Sequence, residues 1–369
     1  MSNSTLNKAM KYSAFKQNII VARINNKTQY LIVSLLCSII FIPFISGCAG
    51  VSISRDSIDT QNPHYPRLSF AKDDNFVVLI SDKKDSLSSL AQAYLGDKRK
   101  SWIIADFNRI NKITANREIV IPLRNLNNTG VTVRGIQSVP IISYHRFGDD
   151  QSKITVSESN FRQQMQFLKD NNFSVIPLRD IYDFLENDIP LPNKTVVITI
   201  NEGYQSAYEI AYPVLRSFNF PATLFLHTDF VGSRDAISWK QAKTMYQSGL
   251  IDIQPHTKTH ANITPKKPHE SLAEYQKRLV DEIKVPAEQI QKQLNSEIHT
   301  FAYAYGISNA TLTALLKQRN YKLAVTMQAG LNTAFSPPYM LHRTLIFGND
   351  DINNFKKAVV TFNAQALKE

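Results

Sequence analysis

Val196-Val197-Ile198-Thr199-Ile200-Asn201-Glu202-Gly203-Tyr204 is the stretch on which the fold turns. Its first five residues, rich in β-branched apolar side chains, read as a strand buried on both faces. Apolar residues then recur at helical spacing: Tyr204, Ala207, Tyr208, Ala211 and Leu215. A second apolar run, Ala222–Leu226, follows. Strand, helix, strand with covered faces points to a parallel sheet. The alternation extends outward. Pro140–Tyr144, Ile251–Ile253 and Phe301–Tyr303 read as further buried strands, and Phe161, Met165 and Leu168 mark a helix. From Val139 onward the pattern fits an open sheet or a barrel, without internal repeats.

In parallel α/β folds the active groups sit at the C-terminal ends of strands. Polar residues cluster there: Tyr144-His145-Arg146-Phe147, Asn201-Glu202-Gly203-Tyr204, Pro255-His256-Thr257-Lys258-Thr259-His260, Tyr303-Ala304-Tyr305-Gly306, and Leu341-His342-Arg343. Two histidines four apart, with a carboxylate from another strand, make a three-ligand site for a divalent ion. Imidazole suits Zn²⁺, Co²⁺ or Ni²⁺, and three protein ligands leave positions open for water and substrate. The H-x-x-x-H spacing alone is weak evidence.

Taken together, these segments resemble the polysaccharide deacetylase family across residues 139–348. Val139–Phe147 looks like its opening strand. Val197–Tyr204, continuing through Ala211–Leu215 and Phe220–Phe225, looks like its signature segment. His256–His260 matches its histidine motif and Phe301–Gly306 its third motif. The resemblance implies an α/β fold, a distorted seven-stranded (β/α) barrel. It also implies metal-assisted hydrolysis of N-acetyl groups on N-acetylglucosamine-containing glycans. An aspartate would take the water proton, and a backbone N–H, here that of Tyr305, would hold the oxyanion.

The chain departs from that family where the chemistry is concentrated. The signature normally carries an Asp-Asp pair, base then metal ligand; here the pair is Asn201-Glu202. An amide cannot accept the water proton as a carboxylate does. Glu202 keeps the ligand charge on a longer side chain, and either ligates with His256 and His260 or serves as a displaced base. Ala304 stands where the family has proline, which frees the backbone near Tyr305. His145 and Arg343 are candidates to contact substrate, although His145 also suits a hydrogen bond at a strand end. His342 is a candidate general acid. His227, His269 and His299 have no motif around them and read as surface or structural positions.

Ahead of this domain, Phe76–Ile80 reads as a strand. A helix carries Leu87, Leu90, Ala91 and Tyr94 behind Asp85, a second holds Trp102, Ile103, Ala105 and Phe107, and Glu118–Pro122 closes as a strand. This unit, 74–123, resembles a LysM domain through Tyr94–Asp97, Trp102–Asn108 and Ile119–Pro122. That implies binding to N-acetylglucosamine glycans, peptidoglycan included. Lys84-Asp85-Ser86-Leu87 lacks the glycine usual at that turn, which leaves a ligand-free spacer as the other reading. Residues 48–73 read as a tether and 124–138 as a linker.

Residues 1–47 carry five basic residues and no acid, and Leu31–Ile45 is almost wholly apolar. The run is short for a spanning helix, which needs about 20 residues, and suits the core of an export signal. Ile45-Ser46-Gly47-Cys48 resembles a lipobox, with cleavage before Cys48 and lipidation of its sulfur implied; an uncleaved anchor is the alternative. The long basic stretch is consistent with a start at Met10. Ala49 after the cysteine favours the outer membrane, facing the periplasm. Those five residues supply almost half of the +11 net charge, and no Lys/Arg cluster interleaved with aromatics argues for nucleic acid. The two cysteines, Cys37 and Cys48, form no metal knuckle or disulfide framework. The expected partners are an N-acetylglucosamine-containing glycan and a membrane reached through the lipid. Two readings follow: an active envelope N-deacetylase using Zn²⁺ (or Co²⁺ or Ni²⁺), or a catalytically silent glycan-binding or peptidoglycan-tethering lipoprotein.

Overall fold

The computed structural model describes residues 69–364 apart from 73, 125, 126 and 151. The expected leader, Cys48 and the tether up to residue 68 lie outside the described residues. Among the described residues no helix is long and apolar enough to cross a membrane.

The small N-terminal unit contains β1 (Ser69–Lys72), β2 (Phe76–Ile80), α1 (Leu87–Leu95), α2 (Ser101–Asn108) and β3 (Glu118–Pro122). Ser86 caps α1 through a reciprocal bond with Ser89, and Gly96 ends it in the left-handed region. β2 pairs antiparallel with both β1 and β3. Val77, Leu79, Ile119 and Ile121 alternate inward against Leu90, Ala91 and Ile104. The end of the expected tether is therefore a third strand. The expected linker is structured too: β4 (Val131–Thr132) and β5 (Gly135–Gln137) form a hairpin, whose second strand pairs with a C-terminal strand described below.

The large unit follows with β6 (Ile141–Tyr144), β7 (Arg146–Phe147), β8 (Thr155–Val156), α3 (Glu158–Asp170), β9 (Ser174–Val175) and α4 (Ile181–Glu186). Next come β10 (Thr195–Glu202), α5 (Tyr212–Phe218), β11 (Ala222–Leu226), α6 (Trp239–Gln247) and β12 (Ile251–Pro255). The chain continues with α7 (Leu272–Leu294), β13 (Thr300–Ala302), α8 (Ala310–Gln318), β14 (Leu323–Val325), β15 (Thr344–Leu345), α9 (Ile352–Ala358) and β16 (Phe362–Asn363), the strand that β5 joins.

The main sheet runs β12-β11-β10-β6-β15, all parallel, with β9 added to the start of β10. β13 and β14 form a separate parallel pair. The parallel α/β arrangement is as expected, but the sheet with β9 has six strands and the pair two, and among the described residues no continuous ladder closes them into a seven-stranded barrel. A side chain bridges one gap. Gln254, in β12, accepts the N–H groups of His299 and Thr300 at the start of β13. At the other gap a single parallel bridge joins Val325 to Leu341.

Alternation along β10 divides the core. Val196, Ile198 and Ile200 pack with Phe161, Met165, Leu168, Val214 and Leu215 in the helical layer. Val197 packs on the other face with Ile141, Phe225, Leu323 and Val325. One step nearer the strand ends that inner face turns polar, because Thr199 stands in register with Ser143 and Thr223. The site lies just beyond this polar layer.

Candidate metal centre

Parallel register brings the candidate ligands to one edge. Glu202 is aligned with Leu226, and Leu226 with Pro255. The next residues along those neighbouring strands are His227 and His256. Glu202 itself is left-handed at φ 73°, and Gly203 follows at φ 83°, where a Cβ would lie 2.4 Å from Leu226 Cδ2. A side chain there would have to displace Leu226 as well as adopt a left-handed backbone, so glycine is favoured.

His256 is fully buried, and its Nδ1 lies 2.8 Å from the Ala302 carbonyl. The carbonyl can only accept, so Nδ1 carries the proton and Nε2 offers its lone pair to the centre. Burial pushes His256 down to about 3, against the pull of Glu202, so the ring is neutral near pH 7. His260 arrives through a tight loop in which Thr257 (φ 64°) and His260 (φ 59°) are both left-handed. Such conformations cost about 1–3 kcal/mol each and need support.

Glu282 of α7 gives that support. One carboxylate oxygen accepts the N–H groups of Lys258 and Thr259 at 2.9 and 3.0 Å, and the other accepts the Thr259 hydroxyl at 2.8 Å. The His260 N–H is held by Thr257 Oγ1 at 2.9 Å.

Glu202 Oε1 lies 3.1 Å from His260 Nε2 and 3.8 Å from His256 Nε2. The ligating atoms of these three residues all fall within 4.8 Å of one another. Burial alone would raise the Glu202 carboxyl. Hydrogen bonds from His227 and His260, and the fields of His256 and His260, outweigh it and hold the carboxyl well below the usual range. Two neutral-capable imidazoles and one ionised carboxylate, with one imidazole already locked by its far nitrogen, fit a divalent ion of the zinc type.

His227 corrects the sequence reading. It is no surface residue: its Nε2 lies 3.2 Å from Glu202 Oε2. It carries no spacing motif, and the only signal was its place directly after a buried parallel strand. His299 is likewise half-buried, 3.3 Å from Asp252, while His269 is exposed.

The base position looks different. Asn201 Oδ1 accepts from Arg343 Nη1 at 2.7 Å, and Asn201 Nδ2 lies 3.3 Å from His145 Nε2. Arg343 is 1 % exposed and also donates to the Thr326 carbonyl at 2.8 Å. The expectation that it touches substrate is therefore corrected: it is walled in behind Asn201 and orients that amide. Burial lowers Arg343 to about 9, with Glu202 opposing, so it remains a cation. Among the described residues no carboxylate makes an ion pair with it. His145 is half-buried, and burial pushes it down to about 4.

Tyr305 is left-handed (φ 56°) and 60 % exposed, with its ring 4.7 Å from that of His260. Gly306 and Ile307 bond back to Tyr303 and Ala304, whereas the Tyr305 N–H has no acceptor among the described residues. Gly306 is obligatory, since a Cβ would sit 2.3 Å from Met327 N. His342 is held by Nδ1 at 3.2 Å from the Gln328 carbonyl, and none of its contacts among the described residues is with Glu202, His256 or His260.

Comparison with known proteins settles the fold around this centre. Residues 188–324 match the polysaccharide deacetylase family. This region is similar to polysaccharide deacetylase domains. It contains Asn201, Glu202, His256, His260 and Tyr305; His145, His342 and Arg343 lie outside the matched span. Among characterised proteins, the chain is 26% identical over 258 residues to the poly-β-1,6-N-acetyl-D-glucosamine N-deacetylase of Escherichia coli strain K12. That match covers 60% of this chain and 38% of the relative, so the chain spans about two-fifths of it. The Staphylococcus aureus MRSA252 enzyme of the same name is 26% identical over 197 residues, covering 52% of this chain and 68% of its own. Among solved structures, Streptococcus pyogenes deacetylase PplD in complex with acetate superposes with TM-score 0.56 at 26% identity, over 60% of this chain and 98% of that one. IcaB from Ammonifex degensii gives 0.54 at 25%, over 60% and 96%.

Proposed function

We propose that this protein is a metal-dependent N-deacetylase of N-acetylglucosamine polysaccharide that turns over slowly because Asn201 occupies the base position. The observation that carries the reading is the convergence of Glu202, His256 and His260 beside the free Tyr305 N–H. The N-deacetylase relatives supply the substrate class.

When bound, a divalent ion supplies Lewis acidity and lowers the pKa of a water molecule. Glu202, His256 and His260 hold it. Zn²⁺ suits the donor set, as do Co²⁺ and Ni²⁺. The Tyr305 N–H donates to the oxygen that gains charge as the acetyl group is attacked. Asn201 accepts from Arg343 and can orient, but an amide oxygen is not basic enough to take the water proton. In this reading the chain is an envelope lipoprotein anchored through Cys48 at the outer membrane, and the small LysM-like unit holds the same glycan. A barrel completed by the β13–β14 pair belongs to the same proposal.

A second reading is favoured by that occupied amide: a glycan-binding relative with its base removed. Acetate release from N-acetylglucosamine oligomers, with Zn²⁺ or Co²⁺ supplied, separates the two. We expect slow release that needs His256 and His260, rising about 10²–10⁴-fold in Asn201→Asp. Turnover by Asn201→Asp alone would establish the binding relative instead. No release by either protein would overturn deacetylation.

A further inference from the structure

We infer that His227 is a positioning residue that fits the centre to the longer carboxylate of Glu202, an inference that rests on the metal-site reading above.

The two carboxylate oxygens of Glu202 are divided. Oε2 lies 3.2 Å from His227 Nε2, whose ring centroid is 5.3 Å from that of His260. Oε1 lies 3.1 Å from His260 and 3.8 Å from His256. A carboxylate only accepts, so His227 donates through Nε2–H. Its Nδ1 is buried with no partner among the described residues, so the proton belongs on the nitrogen facing Glu202. The ring cannot swing away. It stacks on Phe230 with centroids 4.9 Å apart and planes 9° apart, and Phe230 in turn packs edge-on against Tyr204. His227 therefore takes one oxygen and leaves the other for the ion. A side chain one methylene shorter has less reach, so the contacts to His227 and to the histidine pair are not both kept at these distances. The imidazole and the glutamate act as a matched set.

Partners that orient a ligand without touching the metal typically contribute 10–100-fold to affinity. The test is a Co²⁺ titration of the full chain, read by affinity and by the visible absorption of the bound ion. His227→Phe keeps the stack and loses the donor; its affinity should fall about 10–100-fold with a shifted spectrum. His227→Gln keeps an N–H at the same reach and should remain near wild type. In the Glu202→Asp background His227→Phe should change affinity by less than about threefold, since the two no longer interact. An unchanged affinity in His227→Phe, or an equal fall in both backgrounds, would overturn the inference while leaving the metal centre standing. Failure of the wild type to take up Co²⁺ would instead remove the metal centre itself, and this inference with it.

Discussion

Asn201 and Glu202 are adjacent at the end of β10, and they lie in opposite surroundings. Glu202 meets three imidazoles. Asn201 meets a buried guanidinium and one imidazole, with no carboxylate in ion-pair reach among the described residues. The backbone explains the separation: Asn201 continues the inner face of β10 with Val197 and Thr199, whereas Glu202 leaves strand geometry at φ 73° and is turned toward the histidines. The ligand side keeps its ionised carboxylate while the base side holds a cation against a neutral amide. Half of the centre is therefore electrostatically complete. The other half carries a buried charge of the kind that usually has an anion beside it.

The largest expected effect lies on the complete side. Glu202→Ala leaves two histidines and should abolish stoichiometric Zn²⁺ binding, measured by metal analysis after dialysis, without unfolding the domain. Retained stoichiometric binding would break the contrast at once.

Arg343→Met tests the incomplete side. In the wild type it removes a cation whose nearest partner is neutral. In the Asn201→Asp background it strands a buried carboxylate, which costs about 3–5 kcal/mol when a pair is broken. Urea denaturation of the four proteins should give a coupling of about 1–3 kcal/mol. Additive effects would mean that Asn201 and Arg343 do not face each other in solution.

The histidine loop offers a smaller handle. Glu282→Gln keeps an acceptor and loses the charge that binds two backbone N–H groups, so stability should fall by about 1–2 kcal/mol. Metal affinity should weaken with it as His260 loosens. A variant that melts earlier yet binds metal as before would show that Glu282 serves the helix alone.

The smallest effect concerns pH. His145 is held at about 4 in the fold, against a usual 6.5. Between those values the unfolded chain binds a proton that the folded chain refuses. Its contribution to stability is therefore complete above about 6.5 and declines as pH falls toward 4. The melting temperature of the metal-free protein should drop through that window, and His145→Gln should lessen the drop without abolishing it, because buried His256 is lowered in the same direction.

The sequence carried the strand ends well, because buried parallel strands announce themselves as short β-branched runs with polar residues directly after them. Asn201, Glu202, His256 and His260 stood in such places, with spacing that resembled a known pattern. His227 stood in such a place too, but a lone histidine without a spaced partner carries no pattern, and register across β10 and β11 is invisible in one dimension. Glu282 was hidden for another reason. It sits mid-helix, 22 positions beyond His260, where a glutamate normally faces water. Arg343 was read as a substrate contact because sequence gives a residue's place at a strand end but not the side of the wall it lies on. The strand at Ser69–Lys72 and the hairpin at Val131–Gln137 are too short to show a period.

The clamp on the histidine loop has a mechanical side. α7 contains one proline, Pro286, four residues after Glu282. Proline has no N–H to give the carbonyl four positions back, and its ring crowds that carbonyl. The residue whose main chain loses its helical bond is thus the residue whose side chain grips the loop. A pull on His260 is delivered to the helix at its least stiff point, so it is taken up by bending there and not by sliding the whole 23-residue rod. Amide protons around Pro286 should therefore exchange with solvent faster in the metal-free protein and slow down once the loop is loaded.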